Sequence, residues 1–362
     1  MNYWIALSLV EGIGLFTTHQ LLNTFGSPEK IFEEKISKND FPRIKEDIDF
    51  TKIKDFYLKS AEKIIEQCEN ISTEIICFGS PNYPKLLKNI NQAPLVLYCK
   101  GNSKILSKRG VAIVGSREPN ANGEKDTKEI ATGLSENGFV IVSGLARGID
   151  TIAHTSALEM QKETIAVMAT GINEITPIEN TGLAKRIIEN GGAVITEQIP
   201  DELAFAPNFV QRNRIISGLS ECSIVISAPQ RSGALHTAKF AEQQGRKIMA
   251  APGARSDERY GGCNKLLLKS NVVPALEISG IISYINGTKK VEQIGMFDIP
   301  KVKPTNPQVF SSPIIQYLSK NPISLENLSL KSGIYTDELY EILFDLSFDG
   351  SIKQDMSGNY YI

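Results

Sequence analysis

Histidine, tryptophan and cysteine are scarce in this chain, with three, one and five residues among 362. The cysteines, Cys68, Cys77, Cys99, Cys222 and Cys263, are scattered and form no CxxC pair. With so few thiolate and imidazole ligands and no metal-ligand spacing, free buried thiols are expected, and neither a zinc site nor any other cofactor is. No run approaches the ~18 consecutive apolar residues of a membrane-spanning helix. The opening MNYWIALSLVEGIG has neither a basic leader nor a small-residue cleavage site, which predicts a cytoplasmic protein with no membrane partner. Excess charge of one sign is missing too. A balance of 39 Lys and Arg against 41 Asp and Glu excludes a surface coated in basic residues.

What is present is an uneven distribution of arginine. Every arginine except Arg43 lies between Arg109 and Arg259. The guanidinium fork matches phosphate geometry better than the lysine point charge does, so the skew points to an anionic ligand held by the middle of the chain.

Hydrophobic periodicity divides the chain into four segments. Residues 1–72 are helical in pattern, with apolar residues at helical spacing on both sides of Gly12-Ile13-Gly14, and resemble a SAM or helix-hairpin-helix unit. Residues 73–287 alternate β-branched runs with amphipathic helices. The candidate strands are EIICF, LVLYC, VAIVG, FVIVSG, TIAVM, GAVIT, SIVISA, KIMAAPG and VVPAL. This pattern predicts an α/β domain with a doubly wound parallel sheet covered on both faces. Residues 288–308, rich in Lys, Pro and Asn, read as a linker. Residues 309–362 give three helices and a hairpin, the order of a winged helix. Its third helix carries Asp337, Glu338, Glu341, Asp345 and Asp349 in or just after it, and no Lys or Arg occurs between Lys331 and Lys353. Entry of that helix into a DNA groove is therefore not expected. The stripe Leu339, Ile342, Leu343 and Leu346 is expected to be the unit's own core, and the acidic face is left for a protein partner or a regulatory contact.

Four post-strand segments carry candidate chemistry. In VAIVGSREPN, Gly115 allows close backbone approach to an oxyanion, Ser116 offers a hydroxyl and Arg117 a charged grip before a helix. VSGLARGIDTIAH repeats the recipe with Ser143, Gly144, Arg147 and Gly148. Asp150 and His154 follow at i,i+4 spacing, which reads as a capping or packing pair and not as part of a Ser143–His154–Asp150 triad. In NFVQRNRIISGLS, Arg212, Asn213 and Arg214 follow Phe209, with no acidic residue from Ala204 to Ser220. Cationic forks beside an aromatic ring suit a single strand, whose phosphates need charge and whose bases stack. SAPQRSGALHTA and AAPGARSDERYGGCN again place glycine, serine and arginine after strands, with Ser232-Gly233 opening a helix.

The set GSR, SGLARGID..AH, F..RNRIISGLS, SGALHTA and GR...A.PG, in this order and spacing, resembles the DprA (Smf) family of DNA-processing proteins over residues Gly79 to Ser283. The resemblance implies an extended Rossmann fold and sequence-independent binding of single-stranded DNA. It also implies a homodimer that protects incoming DNA and loads the RecA recombinase on it in natural transformation. The implied phosphate pocket is Gly115, Ser116 and Arg117, supported by Phe209, Arg212, Asn213, Arg214, Ser232 and Gly233. Where the family carries Tyr-Pro and a basic residue, this chain has Thr176-Pro177-Ile178, and Lys185 or Arg186 is the nearest substitute.

Two enzyme classes are weighed against this binding role. A nucleoside-monophosphate phosphoribohydrolase of the lysine-decarboxylase-like family needs PGGxGTxxE, and Phe240 stands where its glutamate would be, a side chain with no proton to exchange. An NAD-dependent enzyme needs GxGxxG, which is missing. The expectation is a protein that binds and does not catalyse.

Overall fold

The computed structural model describes residues 1–44 and 46–287 and, further on, 314–318, 322–334, 336, 339–340, 342–343, 346, 352–354 and 359–361. Residues Met1–Asn286 form one compact unit and Gly287–Ile362 a second.

The first unit opens with helices α1 (Asn2–Leu9), α2 (Leu15–Phe25) and α3 (Pro28–Ile31), a hairpin of β1 (Lys35–Ile36) and β2 (Ile48–Asp49), and the long helix α4 (Phe50–Asn70). Gly12 ends the turn after α1 with φ +83°, a left-handed conformation that glycine adopts without strain. The chain then enters a nine-stranded sheet. Its elements are β3 (Glu74–Cys77), α5 (Lys85–Lys88), β4 (Val96–Gly101), β5 (Gly110–Gly115), α6 (Ala121–Glu136), β6 (Val140–Ser143), α7 (Ile149–Glu159), β7 (Thr164–Val167), α8 (Thr181–Glu189) and β8 (Ala193–Thr196). They continue with α9 (Ala206–Gly218), β9 (Ser220–Ile226), α10 (Ala234–Gln243), β10 (Lys247–Ala250), α11 (Gly261–Leu266), β11 (Val272–Pro274) and α12 (Ile278–Asn286).

Strand order across the sheet is β11-β10-β9-β5-β6-β7-β8-β4-β3. All nine sequence-predicted strands are present. The expected all-parallel sheet is corrected at one edge: β4 runs antiparallel to both β8 and β3. No helix long enough for a parallel crossover separates β3 from β4, since α5 has only four residues, and the short return reverses direction.

Both faces of the sheet are buried. Along β7 and β8, Ile165, Val167, Ala193 and Ile195 join the main core, and their alternating neighbours Ala166 and Val194 join a separate cluster with Leu158, Leu183 and Ile187. At the other edge, Leu97 and Cys99 of β4 face the main core. Val96 and Tyr98 instead pack with Ile5, Leu7, Leu21 and Phe50 of the N-terminal segment. The helical segment expected to end near residue 72 therefore shares a core with the sheet edge, because β3 and β4 have two apolar faces to cover. All five cysteines are free and buried, as their spacing predicts.

In the second unit, helix α13 (Leu325–Ser332) and the antiparallel strands β12 (Lys353–Gln354) and β13 (Tyr360–Tyr361) surround a core of Ile314, Leu328, Leu339, Leu343, Leu346 and Tyr360. Leu339, Leu343 and Leu346 are core residues, as their spacing predicts, with Ile342 packed against them. Asp337, Glu338, Glu341, Asp345 and Asp349 lie outside the described residues, as does the linker expected at 288–308. Among the described residues no helix is long and apolar enough to cross a membrane.

Candidate nucleic-acid interface

The chain runs outward from β5 through β6, β7 and β8, then returns through α9 to lay β9 on the other side of β5. The order reverses between β5 and β9. In open α/β sheets the loops that leave a switch point in opposite directions open a crevice at the strands' carboxyl ends.

Three of the sequence-predicted segments meet there. The Ser116 N–H donates to the Ser227 carbonyl at 3.1 Å, tying the turn after β5 to the turn after β9. The Ile149 N–H donates to the Ser116 carbonyl at 3.1 Å, tying the same turn to the start of α7. These approaches explain the glycines. A Cβ on Gly115 would lie 1.9 Å from the Ile226 carbonyl oxygen, and Gly148, at φ +69°, would place one 2.3 Å from that of Ser116. The Ser116 hydroxyl accepts from the Glu118 N–H at 3.0 Å, so its own hydrogen remains available to an incoming acceptor. Arg117 is exposed, and no carboxylate pairs with it among the described residues. Ser232 and Gly233 open α10, and the Ser232 hydroxyl accepts from the Ala234 N–H.

Helix α9 joins these turns from below. Arg212, 7% exposed, donates from Nη1 to the carbonyls of Gly144 at 2.6 Å and Val167, bridging the ends of β6 and β7. Asn213 donates to the Gly233 carbonyl at 3.2 Å. Asp150 accepts from the Gly144 N–H at 3.0 Å and the Ala146 N–H, which folds the β6 loop around its carboxylate and holds buried Leu145 at φ +59°. Burial raises the Asp150 carboxyl above its ordinary value, against the pull of Arg212 and these amides. Burial also lowers Arg212 to about 10, with Asp150 opposing and the like charge of Arg117 adding to the shift. Arg212 remains a cation at neutral pH.

The sequence-predicted residues are not all open to a ligand at this crevice. Ser143 is fully buried and donates to the Ile113 carbonyl at 2.6 Å. His154 is fully buried against the Thr164 hydroxyl at 2.8 Å, and although Ser143 also hydrogen-bonds the Asp150 carboxylate, His154 bridges neither, so the three form no triad. Arg147 is exposed and paired with Glu179. Phe209 is half-buried. Arg214 points away: it is 1% exposed and grips Glu197 with both terminal nitrogens and the Gln92 carbonyl at 2.9 Å. At about 100° per residue, the i,i+2 spacing puts it on the opposite face of α9 from Arg212, a distribution that a run of like-looking polar residues conceals. The sequence reading also passed over Phe205, which is 59% exposed at the start of α9, with Leu203 at 68% just before it. Exposed apolar residues in a loop carry no periodic signal.

Comparison with known proteins matches the family described as DNA recombination-mediator protein A over residues 74–286. Protein Smf of Synechocystis is 28% identical over 99% of this chain and 98% of its own length. DNA processing protein DprA of Streptococcus pneumoniae is 43% identical over 51% of this chain and 65% of its own length. The crystal structure of the Streptococcus pneumoniae protein superimposes with a TM-score of 0.63 at 30% identity, covering 78% of this chain and 97% of that one. DNA processing protein A from Helicobacter pylori, whose structure concerns its single-stranded DNA binding mode, gives 0.54 at 29% identity over 60% and 96%. With the family's match covering the whole sheet and its switch point, the chain belongs to the DNA recombination-mediator protein A family, that of the DprA and Smf proteins.

Proposed function

We propose that this protein binds single-stranded DNA without sequence preference, seating a backbone phosphate on the turn Gly115-Ser116-Arg117 at the β5–β9 switch point. One observation carries the reading: the Ser116 turn is tied to the turn after β9 and to the start of α7, which leaves the Ser116 hydroxyl hydrogen and the exposed guanidinium of Arg117 facing an anion at the switch point. Arg147, Ser232 and Gly233 extend the pocket, Phe209 offers a ring, and Arg212 and Asn213 hold its loops together. Ser143 and Arg214 act from beneath by fixing the sheet end and α9.

The reading is one of binding and not of catalysis. His154 and Asp150, the acid–base candidates of the region, are sealed behind the β6 loop. Kinship with the DprA proteins extends the proposal to protecting incoming DNA and loading the RecA recombinase on it in the cytoplasm during natural transformation. It also extends it to homodimerisation, for which Leu268 and Leu276, both exposed, offer apolar surface on either side of edge strand β11. The N-terminal helices are read as the SAM-like unit of that family and the second unit as its winged helix. Titration with single-stranded and duplex oligonucleotides over a range of salt tests the core of the proposal. Binding should favour the single strand and weaken with salt as phosphate counterions are released. Preference for duplex, or affinity indifferent to salt, overturns it.

A further inference from the structure

The crevice accounts for phosphates, yet the largest exposed apolar side chains of the neighbouring loops remain without a task. We propose that Phe205 is a base-stacking residue, which together with Phe209 forms an aromatic rail along α9 on which the bases of the bound strand lie. The inference rests on the phosphate reading above and names what the same site does with the other half of each nucleotide.

Spacing supports the rail. Phe205 is the N-cap of α9, just before its first turn, and Phe209 and Arg212 follow it at i+4 and i+7, the interval that stacks side chains along one side of a helix. At 1.5 Å rise per residue, one turn of about 6 Å separates the two aromatic positions, and a shorter step leads from Phe209 to the guanidinium. The rail thus begins at the charged crevice and runs away from it along the helix toward its start.

Exposure supports it too. Phe205 is 59% exposed, and among the described residues neither it nor Phe209 stacks on another ring or cation. Its flanking residues are Ala204 and Ala206, whose small side chains leave the ring faces open. A ring held in water gives up the free energy its burial would bring, and here nothing within the fold covers it.

The chemistry at this end of α9 selects bases over phosphates. Pro207 occupies the first turn and lacks an N–H, so the helix start offers fewer amides to an anion than α6 or α10 does. Asp201, which accepts from Asn173 at 2.8 Å, adds a negative charge just before the rail. A strand lying here is driven to turn its phosphates outward and its bases onto the rings. Stacking of this kind is indifferent to sequence, since every base has a π-face.

The test compares a mixed-sequence oligonucleotide with an abasic strand of the same length, which keeps the phosphates and lacks the bases. Phe205→Ala should weaken binding of the normal strand about fivefold or more and change binding of the abasic strand less than twofold. Phe205→Trp should bind the normal strand at least as well as the unaltered protein, with its added fluorescence quenched by that strand and not by the abasic one. Loss of equal size on both strands, no loss on either, or a weakened and unquenched tryptophan variant overturns the rail. Arg117→Ala, run beside them, should weaken both strands. If it weakens neither, the phosphate reading fails, and that failure is distinct from failure of the rail.

Discussion

The guanidinium of Arg212 occupies the space that a side chain on Gly144 would fill: a Cβ there would stand 2.6 Å from Cζ. The same guanidinium donates to the Gly144 carbonyl at 2.6 Å. One residue's absent side chain is therefore the binding place of the other's charge.

Gly144→Ala should drive Arg212 from its two carbonyls and leave Asp150 without its nearest cation. We expect a loss of about 2–4 kcal/mol of stability, the scale of charge-assisted hydrogen bonds that have lost their geometry. In an Arg212→Ala background the same substitution should cost far less, since nothing remains to be displaced. A double-mutant cycle by denaturant unfolding measures this coupling, and additivity within about 0.5 kcal/mol would refute it.

Arg117 and Arg214 look alike in sequence and should behave as opposites. Arg117→Ala removes an exposed, unpaired cation, so stability should hold while single-strand affinity falls tenfold or more. Its salt slope should drop by about 0.7, the value of one phosphate contact on a single strand. Arg214→Ala instead strands Glu197, whose side chain is 15% exposed. It should destabilise by about 3–5 kcal/mol while the molecules that remain folded bind DNA nearly normally. Thermal unfolding and titration on both variants separate the two roles.

Position in the chain reveals that the RNR arginines matter but not that they part company. The nine strands were legible because each is an apolar run bounded by turn residues, and the GSR turn because glycine, serine and arginine follow a strand directly. The reversed β4 was not legible, because a strand buried on both faces reads the same in either direction. The partner of Arg214 was hidden for another reason. Glu197 lies seventeen residues away in a different loop, and only the return of the chain through α9 brings the pair together.

Burial without a partner for Nε2 makes His154 a source of acid sensitivity. The Thr164 hydroxyl donates to the Ile141 carbonyl at 2.7 Å, so it accepts from His154 Nδ1–H, and the other ring nitrogen is buried bare. Burial, and then the charge of Arg212, lowers its pKa to about 3. The unfolded chain takes up this proton near pH 6.5 and the folded protein does not. The associated stability is therefore complete above about pH 6.5 and is lost as pH falls toward 3, up to about 4–5 kcal/mol across the window. His154→Leu should flatten the acid limb of the stability curve relative to the unaltered protein. If the difference in unfolding free energy between the two proteins stays constant from pH 7 to pH 4.5, the assignment is wrong.

The last prediction concerns what the second unit contributes to binding. Every residue placed at the switch point, from Gly115 to Gly233, lies within Met1–Asn286, and that unit carries its own core through Ile281 and Ile285 of α12. Residues 287–362 hold nine carboxylates against seven lysines and no arginine. A segment with that balance adds repulsion toward a phosphate backbone and releases few counterions. A chain ending at Asn286 should therefore fold and keep its single-strand affinity within about threefold, with an unchanged salt slope. A folded truncation that loses most of its affinity, or whose salt slope falls by one or more contacts, would place cationic groups of the second unit on the DNA. The crevice at β5 and β9 would then be only part of the binding surface.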